Sequence, residues 1–253
     1  MNVIISADAK ALGDKAGRLA ATYIKKAIAE RGEAFIIVAT GTSQFETLNT
    51  LLQDGEIDWS AVTLFHLDEY IDLPVHHPAS FRKYLIERVL ARTGPLKAAY
   101  LIDGESDPVS VIDALADRIS GITVDVALVG IGENGHLAFN DPPADFETEA
   151  PYLVVDLDEP CRAQQCNEGW FADISEVPRQ AISMSVKQIL KSTHIICSVP
   201  DRRKAQAVKD SLEQPVSNRY PASILQTHPS CYFFLDEESA SLLQTPAGGI
   251  ADQ

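Results

Sequence analysis

Cysteine is scarce in this chain and unpatterned. Cys161, Cys166, Cys197 and Cys231 contain no CxxC pair, which removes the usual zinc and dithiol-redox spacings. Cys197 and Cys231 lie within apolar, strand-like runs, so buried reduced thiols are expected instead of metal ligands or disulfides. Long hydrophobic runs are also missing. None approaches the ~18 residues of a transmembrane span, and Met1-Asn-Val-Ile-Ile-Ser6 has no basic leader. A cytoplasmic protein that does not engage a membrane is the expectation. Positive charge is short as well: 21 Lys and Arg against 36 Asp and Glu leave a formal charge of -15, which opposes binding to nucleic acid or an anionic membrane. An anionic small molecule would need a locally positive site to overcome that field. No internal repeat and no long linker divide the 253 residues, so one domain over 1–243 is expected. The stretch 244–253, with Pro246, Gly248 and Gly249, reads as a loose tail.

What is present is a repeated alternation of strand and helix patterns. Ala9 to Glu30 carries Leu12, Ala16, Leu19, Ala20, Tyr23, Ile24, Ala27 and Ile28 at helical spacing, and Arg31-Gly32 ends it. Phe35-Ile-Ile-Val-Ala39 and Asp125-Val-Ala-Leu-Val-Gly-Ile131 are apolar runs without alternation, as in parallel strands covered on both faces. Val62–Tyr70, Tyr152–Asp156, Ala181–Val186, His194–Val199 and Cys231–Leu235 read as further strands. Phe81–Leu90, Asp107–Ser120, Val186–Lys191 and a run from Ala205 read as helices, and the polar stretch Cys161–Phe171 as a connection with a flap at Gly169-Trp170-Phe171. This alternation predicts an α/β sheet with helices on both faces.

Polar residues gather where these strands end, the usual ligand position in such sheets. Thr40-Gly41-Thr42-Ser43-Gln44 precedes a helical run, so its amides and the helix dipole can meet an anion. The same hydroxyls could equally be plain N-caps. Val62–Tyr70 terminates in Asp68 and Glu69, either a catalytic carboxylate pair or acids on a rim turn. Glu133, Asn134, His136, Asn140 and Asp141 fall within nine residues after the strand at Val126. Gly130, Gly132 and Gly135 spell GxGxxG there, with Asp156 about twenty residues on, as in a dinucleotide fingerprint. Pro142 and Pro143 leave no room for the crossover helix that fingerprint requires. The glycines are read instead as places where backbone approaches a ligand or takes positive φ. Arg202, Arg203 and Lys204 open a helix, where a cation opposes the dipole unless an anion is bound; a solvated basic turn is the alternative. Together these are the parts for acid–base chemistry on a phosphorylated metabolite.

Leu67-Asp-Glu-Tyr70 with Leu73-Pro74 and His77-Pro-Ala-Ser80, Gly130-Ile-Gly-Glu-Asn-Gly-His-Leu-Ala-Phe-Asn-Asp-Pro142, and Arg203-Lys-Ala205 resemble the glucosamine-6-phosphate deaminase (isomerase) family, a relative of the 6-phosphogluconolactonases. The resemblance runs from about Phe35 to Leu235 and implies a modified doubly wound, Rossmann-like α/β domain with a mainly parallel sheet. It also implies an enzyme that opens the ring of glucosamine 6-phosphate, shifts a proton between C2 and C1, and replaces the amine with water, leaving fructose 6-phosphate and ammonia. Asp68 matches the base at C2 and His136 the ring-opening acid–base. Asn134 and Asp141 match the partners that orient the imidazole. Glu69 is expected to shape the pocket, while Gly41, Thr42, Ser43 and Lys204 match the phosphate grip. The chemistry implies no metal and no organic cofactor.

The chain departs from that pattern in places. Position 134 is Asn where well-known members often have Asp, which removes a charge that favours imidazolium. Around 162–170 the pattern that supplies an Arg to the phosphate is altered, and Arg162 is the residue available to stand in. Pro151, Leu153 and Val154 replace the basic residues that bind an allosteric sugar phosphate in some relatives, so activation by N-acetylglucosamine 6-phosphate is not expected. The sequence leaves open a galactosamine 6-phosphate substrate and a homo-oligomeric state. Asp-Glu-Tyr and Ala-Phe-Asn-Asp oppose a lactonase. A non-catalytic sugar-phosphate sensor is opposed by the joint presence of Asp68, His136 and Asp141 and by the acidic balance.

Overall fold

Short aliphatic runs buried on both faces build the central sheet. The computed structural model describes residues 1–167 and 169–244; apart from Gln244, the expected tail lies outside them. Strands β1 (Asn2–Ser6), β2 (Ala34–Val38), β3 (Val62–His66), β5 (Ala98–Tyr100), β6 (Val126–Val129), β9 (His194–Val199) and β10 (Cys231–Asp236) form one seven-stranded sheet. All its pairs are parallel and the order is β1-β10-β9-β6-β2-β3-β5. A separate antiparallel sheet holds β4 (Asp68–Tyr70), β8 (Gln180–Met184) and β7 (Tyr152–Asp156), in that order. The helices are α1 (Ala9–Arg31), α2 (Phe45–Leu51), α3 (Phe81–Leu85), α4 (Ala91–Thr93), α5 (Pro108–Ile119), α6 (Glu159–Asn167), α7 (Val186–Leu190) and α8 (Ala205–Glu213). A π-helical turn, Ile86–Leu90, joins α3 to α4.

Alternate side chains of a strand point to opposite faces, and the core divides accordingly. Ile36, Val38, Leu64, Val126 and Leu128 meet α1, α2 and α3 on one face. Ile37, Phe65, Ala127, Val129 and Cys197 meet α5, α7, α8 and the small sheet on the other. Helix α1 starts at Asp8, whose side chain accepts from the Ala11 amide, and stops at Gly32, whose φ of 79° is the left-handed C-cap conformation that favours glycine.

Two strands, β1 and β5, were not expected from the sequence. The run Val62–Tyr70 is also not one strand. The chain leaves the parallel sheet at Leu67, whose carbonyl accepts from Met184 N at 2.6 Å, and Asp68–Tyr70 pairs with Ala181–Ser183. The runs at 152–156 and 180–184 likewise belong to the antiparallel sheet, because pairing partners, not local pattern, decide which sheet a short strand joins. Helix α6 occupies most of the polar stretch at 161–171.

Candidate active site

Beyond Val38 the chain turns through Gly41 into a 3-10 turn, Thr42–Gln44, that feeds α2. Gln44 is wholly buried, and its Nε2 donates to the Val129 carbonyl at 3.0 Å and the Ser198 carbonyl at 3.4 Å, which ties the turn to the ends of β6 and β9. Thr42 and Ser43 line a cleft of about 320 Å³, and Ser43 Oγ accepts from Gln44 Nε2 at 3.1 Å. Gly130 lies against Ser43: a Cβ there would stand 2.7 Å from Ser43 Oγ. Lys204 also lines the cleft and is 7% exposed. Its turn, Arg202–Lys204, is held by Asp201, whose carboxylate accepts from Arg203 N at 2.9 Å and from the Arg203 guanidinium.

On β4 neighbouring residues face opposite ways, and Asp68 faces the cleft. It is 9% exposed; burial, reinforced by the charge of Glu69, pushes its carboxyl up to about 8. Glu69 faces the other way and does not line the cleft, a correction to the expectation that it shapes the pocket directly. Its carboxylate accepts from Ser80 Oγ at 2.8 Å, Arg82 N at 2.8 Å and Phe81 N at 3.2 Å, so it anchors the first turn of α3. Burial raises its pKa despite those bonds.

His136 comes from the loop after β6. Its Nδ1 lies 2.9 Å from Asp141 Oδ1, and the same oxygen accepts from Asn134 Nδ2 at 2.9 Å. Asn134 Oδ1 in turn accepts the His136 amide at 3.0 Å. The loop can close this tightly because Gly135 takes a φ of 84° and because position 132 has no side chain: a Cβ on Gly132 would meet the imidazole at 2.2 Å. Burial works to raise the Asp141 pKa, but the His136 and Asn134 bonds outweigh it and hold the group below the ordinary carboxylate range. Asp141 Oδ2 is buried without an ordinary hydrogen bond; the Cys161 thiol beside it is a weak donor that also favours the carboxylate. Among the described residues, His136, Asp141 and Cys161 place donor atoms within 4.8 Å of one another. That set could hold a thiophilic metal ion, although the His136–Asp141 bond already occupies its inner edge. Asn140 fixes the loop to the small sheet, donating to the Leu137 and Met184 carbonyls at 2.7 and 2.9 Å.

Arg162 does not reach the cleft, which corrects the expectation that it stands in at the anion. Its guanidinium donates to the carbonyls of Ile174 and Val177 and so ties α6 to the following loop. The residues that α6 and its loop bring to the cleft are Gln164, Gln165 and Trp170. Lys83, Tyr84 and Arg88 line it from α3 and the π turn. The Arg88 guanidinium lies 5.0 Å over the Phe45 ring and 5.6 Å over the Tyr84 ring. The sequence reading missed these residues; the four-residue spacing of Tyr84 and Arg88 is the one signal that could have drawn attention to them.

An open parallel sheet whose carboxyl edge brings a hydroxyl-bearing turn, a buried lysine, a buried carboxyl and a carboxylate-paired imidazole to one cleft defines an α/β protein with a polar ligand crevice at its strand ends. Comparison with known proteins narrows this class. The chain belongs to the family described as glucosamine-6-phosphate isomerases/6-phosphogluconolactonase, whose family model matches residues 7–233. A glucosamine-6-phosphate deaminase of Halothermothrix orenii is 34% identical over 251 residues, covering 96% of this chain and all of the relative. One from Streptococcus uberis is 33% identical over 231 residues, covering 91% and 96%. Among solved structures, a monomeric glucosamine-6-phosphate deaminase, described as a missing link of the NagB superfamily, superposes with a TM-score of 0.86 at 29% identity, covering 96% of this chain and all of that one. A putative 6-phosphogluconolactonase of Neisseria gonorrhoeae shares the fold, with a TM-score of 0.74 at 22% identity over 94% of this chain and all of that one. No helix among the described residues is long and apolar enough to cross a membrane.

Proposed function

We propose that this cleft converts glucosamine 6-phosphate and water to fructose 6-phosphate and ammonia. The observation that carries the reading is the placement of Asp68 and His136 in one cleft with Thr42, Ser43 and Lys204. The hydroxyls and main chain at Gly41–Ser43, with the Lys204 ammonium, hold the phosphate by charge-assisted hydrogen bonds against the acidic field of the protein. His136, oriented by Asp141 and Asn134, removes the proton from the C1 hydroxyl and returns one to the ring oxygen, which opens the pyranose. Asp68 then takes the C2 proton and delivers it to C1, while one proton passes from the C2 nitrogen to O1, so that an alcohol stands at C1 and an imine at C2. Water adds to that carbon and the C–N bond breaks, so nitrogen leaves as ammonia and the ketone remains.

The elevated Asp68 pKa suits a group that must both accept and return a proton near neutrality. Burial favours the protonated form of Asp68, and a substrate ammonium beside it favours the carboxylate. The enzyme is read as cytoplasmic, with a small-molecule partner and no membrane or nucleic-acid target, in keeping with its charge of -15.

Ammonia release and fructose 6-phosphate formation, measured together on the parent, Asp68→Asn and His136→Ala, test this. The parent turns over and each variant loses about 10³-fold in kcat. A parent active on galactosamine 6-phosphate or 6-phosphogluconolactone, and silent on glucosamine 6-phosphate, would overturn the substrate assignment.

A further inference from the structure

Buried polar side chains in proteins nearly always have a hydrogen-bond partner. Gln165 is 6% exposed, yet among the described residues its carboxamide bonds to no protein group. Its neighbour Gln164 is engaged, accepting the Glu133 amide through Oε1 at 3.3 Å, whereas Gln165 uses its main-chain carbonyl to accept from Trp170 N. Gln165 lines the cleft, and its carboxamide is not among the atoms sealed from solvent without a partner. The course of α6 explains how it arrives there. One turn earlier Cys161 is 1% exposed with its thiol beside Asp141. Residues four apart share a helix face, so the face that meets the acid–base centre also presents Gln165.

A carboxamide offers one acceptor and two donors in a fixed plane, which matches a hydroxyl that both gives and takes a hydrogen bond. We propose that Gln165 is a specificity-determining residue that reads a hydroxyl on the carbon chain of the bound sugar phosphate. The identity of the sugar rests on the reaction proposed above; the hydrogen bond does not. A desolvated polar group aimed at a substrate hydroxyl discriminates strongly against ligands that lack it, because it is then left unpaired.

The test is calorimetric binding of fructose 6-phosphate, without ammonia so that nothing turns over, and of its 3-, 4- and 5-deoxy analogues. The parent is compared with Gln165→Met, which keeps the volume, and Gln165→Glu, which keeps an acceptor. Gln165→Met is expected to weaken fructose 6-phosphate about tenfold and to match the parent on one of the deoxy analogues, the hydroxyl and its reader being lost together. Melting curves establish that both variants fold, and Gln165→Glu carries the same comparison if the Met variant does not. The proposal is overturned if the folded variant binds fructose 6-phosphate as the parent does, or loses the same factor on all three analogues. It is also overturned if the parent binds none of these ligands. A parent that binds fructose 6-phosphate but releases no ammonia from glucosamine 6-phosphate sinks the reaction and leaves Gln165 standing.

Discussion

In the seven-stranded sheet the strands run parallel, so β2, β6 and β9 end along one edge and the loops beyond them meet there. In the three-stranded sheet a strand itself borders the cleft, and the alternation common to all strands turns its successive side chains to opposite faces. The first arrangement gathers Ser43, His136 and Lys204 from loops far apart in sequence. The second sorts two adjacent acids: Asp68 into the cleft, Glu69 into the anchoring of α3. The collecting is done by strand ends that meet at one edge, and the separating by alternation along one strand beside the cleft.

Apart from replacing Asp68 or His136 themselves, the largest expected effect comes from disturbing the collecting edge. Gly132→Ala places a methyl 2.2 to 2.4 Å from three atoms of the His136 ring, which must swing off Asp141. Since a displacement of this order costs about 10²-fold, kcat should fall by at least that, and a variant within threefold of the parent would show that the imidazole position is not critical.

The separated acid gives a pH signature. Asp68 has a folded pKa raised by burial and then by Glu69, to about 8. The stability it contributes is therefore present below the ordinary carboxyl value and is lost as pH rises through about 8. Between pH 5 and 7 the parent should lose about 1.4 kcal/mol per pH unit relative to Asp68→Asn, and less per unit as pH nears 8. Urea melts of the two proteins at several pH values measure this, and parallel stability curves would remove the buried-carboxyl argument. Activity should mirror it, with kcat/KM of the parent rising toward a plateau above pH 8.

The smallest effect belongs to Glu69→Gln. The amide still offers one oxygen to the α3 amides but turns a donor toward the others, so about 1–3 kcal/mol of stability should be lost. KM is expected to stay within twofold, because Glu69 does not line the cleft. A selective rise in KM without loss of stability would restore Glu69 to the pocket-shaping role expected from the sequence.

Much of this was legible before the structure. Helical spacing located α1 and its glycine stop, unbroken apolar runs located β2, β6, β9 and β10, and the pocket-bound His136 and Asp68 stood at strand ends. Other elements were not legible. Strand β5 is three residues long, too short for any period to show. The break at Leu67 is set by its pairing with Met184, more than a hundred residues away. Arg162 carries the charge an anion wants, but the carbonyls of Ile174 and Val177 reach it first. Gln165 sits in a polar run with nothing local to distinguish it from Gln164; burial without a partner does so.

The amino-acid sequence by itself determined the α/β class, the polar strand ends and the residue types for acid–base and anion chemistry, because periodicity, glycine placement and side-chain chemistry are local properties. Only the tertiary structure decided which of two adjacent acids meets the cleft, which cations are already engaged, and which buried carboxamide is left for a ligand. Those outcomes depend on competition among distant partners for the same hydrogen bonds, and no local stretch of sequence contains both competitors.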